Sequence, residues 1–358
     1  MNNKIKHLFI FWIILFSVNQ TQAADDLWYE VHSKARDSNV TSPYRNSREF
    51  VLNEAKMQQL LGQTKLAFRG ATPTPIALPL PNGDTVYVTA IESQVLPPSL
   101  AKKYPHIKTY KLINQNNKVL NGRLDFTLAG FHAMLQTHNG EVIYIDPVKP
   151  KANDQQVKNR HYYSYQQKNQ HATEPHQCKL THAQQNQSSL IDPDNSYQYR
   201  NQSSSNSLHN YRIAIAATGE YTHIQGGTVA LGLSAIVTTL NRINQIYERD
   251  LGIHLTLANN NDAIVFTDAY NDPFTNGKVD QLILENQRTL DSLIGVANYD
   301  IGHVFGTSGG GLAIINSLCS TRSKAKGTSG INNPNSENFY IDFVAHEIAH
   351  QFGATHTF

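Results

Sequence analysis

Residues 340–358 read YIDFVAHEIAHQFGATHTF, and the spacing predicts an amphipathic helix over 340–352. At about 100° per residue, His346 and His350 fall within about 40° of each other. Ile341, Val344, Ala345, Ile348 and Phe352 gather on the opposite side, so one face can enter a core while the other presents two imidazoles. Residues four apart on a helix are neighbours, close enough for both rings to reach one ion at about 2.0–2.1 Å. Glu347, turned about 100° from His346, would miss the ion yet reach a water beside it as general base. Gly353 can adopt a left-handed conformation that ends the helix, bringing His356 to the same ion from below. A catalytic zinc needs three protein ligands and one open position, and His346, His350 and His356 supply the three. The plainer reading is a set of polar residues on an exposed helix face, in a chain with 16 histidines. The glycine and third histidine at fixed offsets beyond HExxH favour one zinc ion.

Working upstream, residues 211–315 alternate strands and helices. Tyr211, Ile213 and Ile215 have strand spacing. Val229, Leu233, Ile236, Leu240, Ile243 and Tyr247 recur at helical spacing behind Thr228, a cap residue, with Gly252 just past the end. A strand at 253–257 and a helix through Val279, Leu282, Ile283, Leu290, Leu293 and Ile294 follow. Then come a strand near 300–305, the run Gly309-Gly310-Gly311 and a short strand, Leu312–Ile315. This order predicts a mostly parallel sheet flanked by helices. The glycine run lacks a phosphate-loop pattern and is read as a tight loop entering an edge strand. His303, in an apolar strand, is read as a hydrogen-bonded core residue.

Residues 24–175 read as strands and turns. Hairpins are expected at 76–91 around Asn82-Gly83 and at 126–145 around Asn139-Gly140, with 126–137 taken as one strand. The likeness of NGDTVYV to NGEVIYI is read as shared turn chemistry. Residues 176–209, rich in Gln, Asn and Ser, carry too little apolar surface to pack and are expected to form a mobile linker open to proteases. Residues 1–23 combine Lys4 and Lys6 with an apolar run from Leu8 to Val18 and a small-residue end, the layout of a cleaved secretory signal. That run is too short to serve comfortably as an anchor, so a secreted chain, extracellular or periplasmic, with no membrane anchor after cleavage is expected.

The roughly 335 residues after the signal suffice for two domains with their own cores. A formal net charge of +2 gives no reason to invoke nucleic acid as a partner. Two cysteines, Cys178 and Cys319, are too few for a disulfide framework.

HEIAHQFGATH resembles the extended zinc signature of the metzincin metallopeptidases. The element order from Tyr211 onward is similar to the upper subdomain of their reprolysin (adamalysin-like) branch. DIGHVFGTSGGGLAIINSLC with KAKGTSG, and LAGFHAMLQTHNGEVIYIDP, resemble parts of secreted bacterial reprolysin-like proteases and of their propeptide. The resemblance implies an α/β (α+β) metzincin-like catalytic domain over 210–358 behind a β-rich propeptide, one catalytic Zn2+ held by His346, His350 and His356, and Glu347 as general base. Protein or peptide substrates would lie along the edge strand Leu312, Ala313, Ile314 and Ile315. Metzincins also place a Met-turn and a substrate-pocket wall after the third histidine, so these are expected in a reading frame continuing beyond Phe358.

Cys178 has three open readings: a thiolate blocking the zinc of a zymogen, a disulfide with Cys319, or no bond, with Cys319 pairing downstream. The function expected is a secreted zinc metalloendopeptidase made as a zymogen. The alternatives are a non-catalytic zinc-binding or adhesion module, against which Glu347 counts, and an inactive fragment of such a protease.

Overall fold

A computed structural model describes residues 27–31, 44–62, 74–114, 119–148, 160–169, 177–180, 208–335 and 338–356. The expected signal, residues 1–23, and residues 176 and 181–207 of the expected linker lie outside the described residues.

The N-terminal part is a nine-stranded antiparallel sheet. Its strands are β1 (Trp28–Glu30), β2 (Arg48–Leu52), β3 (Thr74–Pro79), β4 (Thr85–Ser93), β5 (Lys108–Asn114), β6 (Val119–Thr127), β7 (Gly130–Thr137), β8 (Val142–Pro147) and β9 (His161–Gln166). They lie side by side in the order β1-β2-β9-β8-β7-β6-β5-β4-β3. The hairpin expected around Asn82-Gly83 is β3–β4, with Gly83 at φ 101° supplying the turn. The expected strand 126–137 is two strands, because the chain reverses at 128–129 and Gly130 takes φ 117°. Two short helices were not foreseen, α1 (Glu54–Gly62) and α2 (Pro98–Lys103). Met57 and Leu61, four apart on α1, both enter the core of this sheet.

The C-terminal part is a five-stranded sheet between helices. Its elements are β10 (His209–Ala217), α3 (Gly219–Ile224), α4 (Val229–Asp250), β11 (Ile253–Leu257), α5 (Val279–Leu290), β12 (Ile301–Gly306), β13 (Gly310–Ala313), β14 (Gly327–Gly330) and α6 (His346–Gln351). The strand order is β11-β10-β12-β14-β13, with only β13 antiparallel to its neighbour. Thr228 caps α4, its side chain accepting from the Leu231 N–H, and Gly252 turns the chain out at φ 65°.

Alternation along β10 builds the two layers. Ile213, Ile215 and Ala217 pack with Leu233, Ile236 and Leu240 of α4 and with Phe343 and Ile348. Ala214 and Ala216 face Leu282 and Leu290 of α5. Each fully buried Leu or Ile contributes about 1.5–3 kcal/mol of transfer free energy, so the layers are fixed chiefly by these side chains. Leu293, expected on the apolar face, is instead 47% exposed, because α5 gives way after Leu290 to a π turn over Asp291–Gly295. No helix among the described residues is long and apolar enough to cross a membrane.

Three expectations near the site are corrected. The helix expected over 340–352 is π-wound from Asn338 to Ala345 and α-helical only over His346–Gln351. The wider π spiral lets Phe339, Tyr340 and Phe343 all reach the core. The expected edge strand, Leu312–Ile315, starts two residues earlier and ends at Ala313, leaving Ile314 and Ile315 beyond it. The span expected as linker, 176–209, contains Gln177–Lys179, which pair with β13, and His209, which opens β10.

Candidate metal centre

The zinc-type histidines are positioned by three local devices. α6 carries His346 and His350 on consecutive turns, and the Tyr247 hydroxyl of α4 donates to the Ala345 carbonyl at its start (2.6 Å). Gly353, at φ 105°, stops the helix and donates to the His350 carbonyl (2.9 Å). The chain then doubles back, so that His356 Nε2 lies 3.1 Å from Nε2 of both His346 and His350, which are 2.9 Å apart. His350 Nδ1 donates to the Ala354 carbonyl (2.7 Å). That bond fixes the tautomer and leaves the Nε2 lone pair facing the cluster.

Cys178 joins the same cluster, its ligand atom and the three imidazole nitrogens all lying within 4.8 Å of one another. Its Sγ is 3.6 Å from His350 Nε2. Around a tetrahedral zinc with ordinary bond lengths, two nitrogens would be about 3.3 Å apart and a nitrogen and a sulfur about 3.6 Å apart. The three nitrogens and the Cys178–His350 distance therefore match one zinc ion, and the set of three imidazoles and a thiol suits its chemistry. Cys178 and Cys319 are both free thiols, so the disulfide reading does not describe this structure.

Cys178 arrives by strand addition. Gly311 N–H donates to the Gln177 carbonyl (2.9 Å) and Lys179 N–H to the Gly311 carbonyl (2.8 Å), a parallel bridge on the outer edge of β13. The contact falls on Gly311, one residue before the expected edge segment; Leu312 and Ala313 are buried, and Leu312 packs with Val279, Ile283 and Ile314.

Glu347 is buried against this edge. Burial pushes its carboxyl up to about 8, against a pull downward from the Cys178 thiol. Burial and the Glu347 charge push Cys178 up to about 12. A side chain at Gly311 would run into the Glu347 carboxyl group, and one at Gly310 into the Gln177 carbonyl. The glycine run thus serves close approach as well as the turn, a role sequence reading missed although the GGG run was its signal.

A second set of residues also went unassigned. His303 is fully buried, as expected, with Nδ1 3.0 Å from Gln351 Oε1 and Nε2 3.0 Å from Ser329 Oγ. Gln351 Nε2 donates to the carbonyls of Gly302 (2.9 Å) and Lys324 (3.1 Å). Gln351 follows His350 directly, so this network ties α6 to β12 and β14. No spacing rule links 303, 329 and 351, which only the folded sheet brings together.

A helix with paired imidazoles, a glycine turn returning a third, and a buried carboxylate beside them define a metallopeptidase-type centre. Residues 233–357 match the family model described as metallo-peptidase family M12B, reprolysin-like, and it is to that family that this stretch is similar. No curated protein matches the chain.

Proposed function

We propose that the chain is a secreted zinc metalloendopeptidase held latent by its own residues 177–180. The observation that carries this reading is the shared position of Cys178 and the three imidazoles, with Gln177–Lys179 on the strand edge beside Glu347. His346, His350 and His356 would hold the zinc, with Cys178 as fourth ligand in the latent form. Zinc, when bound, polarises a peptide carbonyl and makes a water a good nucleophile.

The chain's own groups supply the rest. The outer backbone edge of β13, once clear of Gln177–Lys179, would align an extended peptide by main-chain hydrogen bonds. Glu347 would take the proton of the attacking water at a carboxylate oxygen and deliver it to the leaving amine; its raised proton affinity suits both transfers. Gln177–Lys179 occupy that edge and Cys178 the open ligand position, so substrate and water are excluded together. The leader-like residues 1–23 support export, and residues 24–175 would be the propeptide.

Casein hydrolysis by zinc-loaded Cys178→Ala, with and without a chelator, tests the reading. Chelator-sensitive cleavage is expected, with Glu347→Gln retaining zinc but not cleaving. A Cys178→Ala chain that holds one zinc and cleaves nothing would overturn the enzyme in favour of a zinc-binding module.

A further inference from the structure

α6 is α-helical only over His346–Gln351, and the chain before it is π-wound. A helix that short does not by its own length fix how far it is turned about its axis, yet the metal centre depends on that turn. The Nε2 atoms of His346 and His350 stand roughly 6 Å from the axis, so a rotation of about 10° carries them about 1 Å. Metal–ligand distances tolerate only about 0.2 Å.

The C-terminal end of α6 is held in two ways. Asn316 N–H donates to the His350 carbonyl (3.0 Å), and the N–H groups of Ser317 and Leu318 donate to the Gln351 carbonyl (3.0 and 3.1 Å). These carbonyls lie close to the axis and point along it, so they fix where the helix ends but have little leverage against rotation. The Gln351 side chain has that leverage. It leaves α6 about 100° round from His350 and about 140° from His346, and it is fully buried against the sheet.

Its bonds admit one arrangement. Gln351 Nε2 lies against two carbonyls, those of Gly302 and Lys324, which only the NH2 group can satisfy. Oε1 therefore faces His303, whose Nδ1 must carry the proton, and His303 Nε2 in turn accepts from the Ser329 hydroxyl. Flipping the amide or moving the ring proton would leave two donors or two acceptors facing each other. His303, Ser329 and Gln351 are all fully buried, where a satisfied polar network holds one orientation more strictly than an apolar side chain of similar size. The sheet also leaves room for it: a Cβ at Gly327 of β14 would stand 2.4 Å from Gln351 Oε1 and 2.6 Å from His303 Nδ1.

Resting on the zinc reading of the centre, we propose that Gln351, bracketed by His303 and Ser329, is a positioning residue that sets the affinity of the three histidines for their metal. It acts by holding α6 in the one rotation at which the imidazoles converge. Without it other rotations become populated, and a centre that is competent about one tenth of the time binds its metal about tenfold more weakly.

Co2+ binding to the metal-free full chain, measured by competition with a chromophoric chelator at a temperature where each variant is folded by circular dichroism, tests this. One Co2+ per wild-type chain is expected, with the visible absorption of a tetrahedral site. Gln351→Met, similar in length but without hydrogen bonds, is expected to bind about ten- to a hundredfold more weakly, the loss typical of removing groups that support metal ligands. His303→Asn keeps an N–H donor where Nδ1 sits and is expected to stay within about threefold of wild type, whereas His303→Leu should weaken binding as Gln351→Met does.

A network serving stability alone would lower the thermal midpoint of the metal-free variants and leave the affinity of the folded chain unchanged. That result, or an equal loss of affinity in His303→Asn and His303→Leu, overturns the proposal. Should Gln351→Met fail to fold, Gly327→Ala displaces the Gln351 amide without touching a ligand; Co2+ binding at least about tenfold weaker is expected there, and unchanged binding overturns the proposal equally. If the zinc reading itself is wrong, the wild type binds no Co2+ at micromolar concentration and both readings fall. If only the positioning role is wrong, the wild type binds Co2+ and the variants bind it as tightly.

Discussion

The Cys178 sulfur lies 3.6 Å from Nε2 of His350 although 172 residues separate them in the chain. A sulfur bound to zinc is withheld from thiol reagents, whereas Cys319 is exposed. The zinc-loaded chain is therefore expected to show one fast-reacting thiol. A chelator should add a second, slower one, because burial still disfavours the Cys178 thiolate. Thiol titration with Cys319→Ser as control checks this, and two fast thiols in the loaded chain would contradict it.

Gly311 is the point where β13, Glu347 and the 177–179 segment meet. Gly311→Ala must displace the Glu347 carboxyl, at a cost of about 1–3 kcal/mol for overpacking. We expect zinc binding to survive, since no ligand is touched, while peptide cleavage in a Cys178→Ala background falls at least tenfold. Metal content and rate measured on the same sample separate the two effects.

His303 gives stability a pH dependence. Burial lowers its pKa from 6.5 to about 4, against a smaller upward pull from Gln351. Between those values the unfolded chain binds a proton that the folded chain refuses. The contribution is complete above pH 6.5 and is lost as pH falls toward 4, about 3 kcal/mol in all. Urea unfolding at pH 7 and pH 5 should show the loss, and His303→Gln should flatten it.

Glu248 acts in a lower window. Burial alone would raise its carboxyl, but His254, Arg123 and Lys111 together hold it at about 2. Its contribution is present above pH 4.5 and is lost as pH falls toward 2, about 1–2 kcal/mol once solvent screening is allowed for. Thermal midpoints of wild type and Glu248→Gln should converge on acidification from pH 5 to pH 3.

Local physics explains what could be read from the sequence. α4 was legible from Thr228 and a 3.6-residue apolar period, and the His346–His356 cluster from helix spacing plus one glycine. The break after Thr127 was not, because Leu128 and Ala129 carry no turn signal. The π winding before His346 leaves the hydrophobic pattern almost unchanged. Thr238, Asn241, Arg242 and Gln245 look in sequence like an ordinary solvated face; only the sheet lying across them shows otherwise. The placement of Cys178 is a long-range event with no local signature in HQCKL.

Both margins of the five-stranded sheet are closed by N-terminal chain. Leu257 of β11 donates to the Val95 carbonyl (2.9 Å), and β13 pairs with Gln177 and Lys179. Unpaired strand margins are templates for adding further chains. The N-terminal chain that covers these margins thus guards against self-association, and a C-terminal piece freed of it would expose both. Such a piece is expected to aggregate at a lower concentration than the intact chain.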